Sequence, residues 1–375
     1  MATPHPIQAA LQAAVDDGTF PGAVLAVRLR GTLIYEDAVG RLSPQSPGEG
    51  VTIHTCYDLA SLTKVLATTT ALLLLMQRGR LVLEDRIDHV LTGLQGSAAG
   101  AASIHHLLTH SSGLPGWRPY YERLASLEAE QSGFPGRTAA REAVLGYIAQ
   151  EELVYERGSR SLYSDLGFML LGWAVERLAG ESLDQFCANQ IYRPLAAHPL
   201  AYIPRGLQAM PTALLESYAI APTEDDSWRG RMLCGEVHDE NAFALGGVAG
   251  HAGLFGTARA VLAVAKAWMD GWRGKAGLLH PELVRLFTTR QQGIPNAGWA
   301  LGWDTPSVPS SSGARFTPES FGHLGYTGTS LWIDPVKELE VVLLSNRVHP
   351  TRKNERIKTF RPLIHDLICR EFVGD

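Results

Sequence analysis

Asp58-Leu59-Ala60-Ser61-Leu62-Thr63-Lys64 runs into an apolar segment from Val65 to Met76, with no Gly or Pro before Gly79. This pattern predicts a helix from about Ser61 to Arg78, apolar on nearly all sides and so buried centrally. Ser61 and Lys64 stand three residues apart, on one face and within side-chain reach. Burial disfavours the charged form of a lysine, and a neutral lysine can take the proton of a serine hydroxyl to make a nucleophile. The helix N-terminus adds free N–H groups, that of Ser61 among them, where an oxyanion could be held. A lysine snorkelling out of a core helix has the same signature, so the reading turns on partners elsewhere in the chain. The run is too short to span a membrane and carries Thr68, Thr69 and Thr70.

The 375 residues suffice for two domains or one two-lobed unit. Hydrophobic residues make up 45% and charged residues 19%, a globular balance. The net charge is −5 with no basic run, which argues against nucleic acid as a partner. Met1 to Pro6 shows no basic n-region and no apolar core follows, so the expectation is a cytoplasmic protein without membrane attachment. Cys56, Cys187, Cys234 and Cys369 are widely spaced and read as reduced, mostly buried thiols.

Outward from the central stretch, residues 7–17 read as a helix, and 23–30 with 32–38 as a hairpin about Gly31. Further helices are expected over 138–152, 165–178 (ending at Gly180), after Ser182, over 257–272, 281–289 and 354–373. Strands are expected over 299–303, 323–333 and 339–345. Residues 116–137, aromatic and polar without period, suggest a lid, and 196–256 shows little regularity. Strands at both ends with helices between imply an α+β fold. Its sheet lobe, an antiparallel sheet with helices, takes about 1–60 and 245–375. A mostly helical lobe over about 61–244 is inserted.

Two later stretches can serve Ser61. Tyr163-Ser164-Asp165 precedes an apolar helix, so Tyr163 could shuttle a proton and Asp165 could hold Lys64. Gly322-His323-Leu324-Gly325-Tyr326-Thr327-Gly328 enters a strand. There Gly325 permits close backbone approach, the N–H of Tyr326 could be a second oxyanion donor, and His323 could bind substrate or tune Tyr163. The polar run Val237-His238-Asp239-Glu240-Asn241 should return to the cleft, with His238 a substrate contact. His105, His106, His110, His238 and His251 offer a rival metal site, His106 and His110 having i, i+4 spacing, but H-E-x-x-H is absent. G-x-S-x-G and P-loop motifs are also absent.

Ser61/Lys64, Tyr163/Asp165 and His323-Leu324-Gly325, in this order, resemble the S-x-x-K, Y-x-N/D and K/H-x-G motifs of the serine β-lactamase and penicillin-binding protein superfamily. The likeness is closest to class C β-lactamases and the related esterases and D-amino-acid peptidases. It extends to Leu107–Pro115, Gly246–Gly253 and Ser330–Pro335, and from about residue 8 to the last helix. The resemblance implies a β-lactamase/transpeptidase-like fold and a hydrolase that forms an acyl-enzyme on Ser61 from a small ester, peptide or β-lactam. No cofactor or metal is needed. Two departures stand out. Asp165 replaces an Asn and should favour protonated Lys64, shifting base work to Tyr163. His323 replaces a Lys that helps seat a substrate carboxylate. These changes favour esters or D-amino-acid peptides over β-lactams, with a non-catalytic scaffold as the reading of another class. Oligomeric state is left open.

Overall fold

Gly22–Leu29 and Thr32–Gly40 pair antiparallel about Arg30-Gly31, both at positive φ, the geometry of a tight hairpin turn. The computed structural model describes residues 5–44, 48–130, 133, 136–205, 218–295 and 298–374. Leu339–Ser345 adds to the free side of Gly22–Leu29, and Ser330–Asp334 and Phe321–Leu324 follow, all antiparallel. The five-stranded sheet therefore comes from the two ends of the chain. Alternation assigns its faces. Ala23, Leu25, Val27, Val341 and Leu343 pack with the terminal helices, Pro6–Asp16 and Ile357–Phe372. Val24, Ala26, Val342 and Leu344 join the larger core, which includes the helix Ala258–Trp272.

That core surrounds the central helix. Its second half, Thr70–Gln77, is α-helical, but its first turns widen to a π-helix over Lys64–Thr69. The expected uninterrupted helix is thus corrected. The Thr70 hydroxyl donates to the Val65 carbonyl five residues back, and the Thr68 hydroxyl donates to the Gly250 carbonyl. The widening lies at Lys64, as such departures often do at functional sites.

Four other expectations need correction. Trp299–Trp303 is no strand: Trp299 makes only an isolated bridge to Asp304. The stretch 323–333 is not one strand but the edge pair Phe321–Leu324 and Ser330–Asp334, because Gly325-Tyr326-Thr327-Gly328 turns the chain back. Residues 120–130 form a helix, Tyr120–Glu130, with Tyr120 and Leu124 buried. The region 196–256 holds Leu200–Tyr202 and Leu254–Gly256, which with Tyr57–Asp58 make a three-stranded sheet. These strands are too short for a period to register, yet they position the site: Tyr57–Asp58 ends three residues before Ser61. Residues 206–217 lie outside the described residues. No helix among the described residues is long and apolar enough to cross a membrane.

Candidate active site

Ala60 sits at φ +47, a strained conformation for a residue with a side chain, and presents Ser61 at the mouth of the central helix. Asp58 holds this bend. Its buried carboxylate accepts from the N–H of Ala60 at 2.8 Å and from the N–H of His238 at 2.7 Å. Lys64, fully buried, has three acceptors for its three N–H bonds: Ser61 Oγ at 3.0 Å, Asp165 Oδ1 at 2.7 Å and the His251 carbonyl at 3.0 Å. Such a ring of acceptors suits an ammonium. Burial works against that charge, but Asp165 and Tyr163 outweigh it and hold Lys64 above the ordinary lysine value. Burial alone does not set its protonation, and the resting serine accepts a hydrogen bond from the lysine rather than losing a proton to it.

Asp165 reaches Lys64 from the first turn of Asp165–Ala179, whose cap, Ser164, accepts from the N–H of Gly167 and donates to the Pro115 carbonyl. Tyr163, two residues earlier, lies beside the lysine, its ring centroid 4.9 Å from Lys64 Nζ. Burial raises its pKa, against the pull of Lys64. The His251 carbonyl arrives on a loop that needs Gly250: a Cβ there would meet the Phe168 carbonyl at 2.1 Å. Behind it, Asp239 accepts from the His251 ring at 2.9 Å. The run 237–241 thus backs the lysine and also anchors 118–121, where Asn241 bonds the Tyr121 N–H and the Arg118 carbonyl.

The turn after His323 lies against the segment before Ser61. The Thr327 and Thr329 hydroxyls donate to the Asp58 and Leu59 carbonyls at 2.7 and 3.0 Å. A Cβ on Gly325 would stand 2.6 Å from the Leu59 carbonyl, so only glycine permits this approach. The N–H groups of Ser61 and Tyr326 donate to no acceptor among the described residues.

His323 donates from Nδ1 to the Leu324 carbonyl at 2.8 Å, which leaves Nε2 as an acceptor without a partner among the described residues. Burial, helped by Lys64, lowers its pKa to about 3, so it is neutral at pH 7. It is not the partly charged carboxylate ligand that its type suggests. His238 is placed differently from its expected role: its buried ring bonds Glu224 at 2.9 Å and stacks on Tyr326, supporting the turn from behind.

Two further rings line the site: His110, read from the sequence only as a candidate metal ligand, and Trp299, given no role there. The rings of His110 and Trp299 enclose Tyr163 and His323, with centroids 4.6 Å apart. His110 accepts the N–H of Ser164 at Nδ1, so its proton lies on Nε2, which has no partner among the described residues. The other histidines of the rival metal reading diverge: His105 meets Gln291 and His106 caps its own helix through Ser103. Burial pushes the Cys56 thiol up to about 12, far from a reactive thiolate.

A sequence model described as Beta-lactamase matches residues 7–365. The chain belongs to the beta-lactamase family. It is 35% identical over 358 residues to an Escherichia coli (strain K12) protein provisionally named D-alanyl-D-alanine carboxypeptidase, a match covering 89% of this chain and 80% of the relative. A Bacillus subtilis (strain 168) protein named N-acetylmuramyl-L-alanine amidase is 30% identical over 354 residues, 88% of this chain and 78% of its own. Among solved structures, the octameric penicillin-binding protein homologue from Pyrococcus abyssi superposes with a TM-score of 0.74 at 20% identity, over 98% of this chain and 77% of that one. With these relatives the α+β fold is that of the family, and the beta-lactamase-family protein is a hydrolase.

Proposed function

We propose that this family member is a serine acyl hydrolase that works through a covalent acyl-enzyme on an ester or amide, small esters and D-amino-acid peptides being its substrates. The observation that carries the reading is Lys64 Nζ at 3.0 Å from Ser61 Oγ, with the Tyr163 ring centroid 4.9 Å from the same nitrogen. Reaction needs the Lys64–Tyr163 pair to have given up one proton, since in the resting state both hold theirs. Ser61 Oγ then attacks the carbonyl carbon as its proton passes to the Tyr163 oxygen. The oxyanion is held by the N–H groups of Ser61 and Tyr326. Tyr163 returns the proton to the departing alcohol or amine, and water attacks the acyl-enzyme by the same route in reverse.

Peptide amides are supported by the carboxypeptidase and amidase names of the relatives. β-Lactams are disfavoured because His323 is neutral and cannot attract a carboxylate as a lysine would, while Asp165 adds a negative charge. The test is labelling with a fluorophosphonate followed by peptide mapping, then a panel of p-nitrophenyl esters, D-Ala dipeptides and a chromogenic cephalosporin. A phosphonyl adduct on the Ser61 peptide is expected; no labelling would return the chain to the scaffold reading.

A further inference from the structure

Arg361, on the C-terminal helix, is buried and makes no ion pair with any carboxylate among the described residues. One nitrogen, Nη2, donates to the Gly325 carbonyl at 2.8 Å and to the Thr329 carbonyl at 2.7 Å. A cation so placed is costly; burial lowers its pKa to about 9. Leu or Met would fill the space without that cost, so packing alone does not account for an arginine.

The carbonyl it holds belongs to the same peptide unit as the N–H of Tyr326. In a trans peptide the C=O and N–H point to opposite sides. A carbonyl drawn toward the C-terminal helix therefore turns the Tyr326 N–H the other way, and Thr327 and Thr329 tie that side of the turn to Asp58 and Leu59, next to Ser61. A cation on the oxygen also draws electrons from the amide and makes its N–H a stronger donor, since hydrogen bonds in series polarise one another. Arg347 acts on the next peptide, donating from Nε to the Tyr326 carbonyl at 2.9 Å.

We propose that Arg361 is a positioning residue for the reaction, aiming and polarising the oxyanion-binding N–H of Tyr326 through the Gly325–Tyr326 peptide. This rests on the acyl-hydrolase reading above. Arg361→Met should slow phosphonylation of Ser61 and lower kcat for an ester about tenfold, less than the ~10²–10³-fold lost with a whole oxyanion donor. KM should change little, because the interaction strengthens mainly in the transition state. Arg361→Lys, which keeps the charge, should fall between.

A readout independent of turnover comes from the sequence, which contains just two Gly-Tyr peptides, Gly146-Tyr147 and Gly325-Tyr326. Carbonyl-labelled glycine with ¹⁵N-tyrosine gives one cross-peak for each. Arg361→Met, or Arg361→Lys should the methionine variant not fold, should shift the Gly325-Tyr326 peak and leave Gly146-Tyr147 in place. Wild type labelled on Ser61, with unchanged rates and an unmoved peak in the variants, overturns the role of Arg361 alone. Wild type that takes no label overturns the hydrolase reading and this inference with it.

Discussion

Asp165→Asn isolates the feature that most distinguishes this site, a carboxylate 2.7 Å from a fully buried lysine. At an effective dielectric of about 20, opposite charges at that distance attract by about 6 kcal/mol. The amide oxygen of Asn can still accept from Nζ, so part of that is retained. Breaking a buried pair from one side typically costs about 3–5 kcal/mol, and about 3 is expected here at pH 6. The pH dependence carries the sharper sign. In the wild type the raised Lys64 pKa means its stabilisation is complete below the ordinary lysine value and is lost only as pH rises through the higher folded one. It is therefore flat from pH 6 to 9. In the variant burial prevails, the folded pKa falls below the ordinary value, and stability is lost as pH falls. Urea unfolding at pH 6 and pH 9.5 should thus show a smaller deficit at the higher pH. The rising limb of kcat/KM for an ester should move to lower pH, since the Lys64–Tyr163 pair gives up its proton more readily. A deficit equal at both pH values, with an unmoved limb, would refute the charge assignment.

Ser61→Ala should lower turnover by about 10³-fold or more with the unfolding midpoint nearly unchanged, and an adduct found on Cys56 or Ser111 instead would contradict the nucleophile. Lys64→Ala and Tyr163→Phe should each remove most activity, while the double variant should lose little more than either, because they act as one unit; additive losses would separate them. Wild-type kcat/KM for a chromogenic cephalosporin should be at least about tenfold below that for the best p-nitrophenyl ester, a barrier difference of ~1.4 kcal/mol. His323→Lys combined with Asp165→Asn should narrow that gap, and a wild type faster on the cephalosporin than on every ester would reverse the substrate ranking.

The residues with side-chain chemistry could be read from the sequence because each stands at an element boundary that the sequence marks. Ser61 opens an apolar run, Tyr163 and Asp165 flank the serine cap of another, and His323 precedes a glycine turn. The sheet was legible for a similar reason: hydrophobic runs gathered at the two chain ends leave few other ways to cover them. What was not legible is what holds these groups in place. The third acceptor of Lys64 is the backbone carbonyl of His251, and a carbonyl is common to every residue. The widened turn over Lys64–Thr69 depends on hydroxyls of Thr68 and Thr70, which read as no more than polar interruptions. Protonation was legible only in part. Residue type suggests a partly charged His323, but burial and Lys64 make it neutral, and both are facts of packing. Arg361, 36 residues beyond Gly325, reads as one cation on an ordinary amphipathic helix. Only the fold brings it to the carbonyl of the Gly325–Tyr326 peptide. A motif names the atoms that react, but their charge states and aim are set by backbone groups and buried neighbours that no local pattern displays.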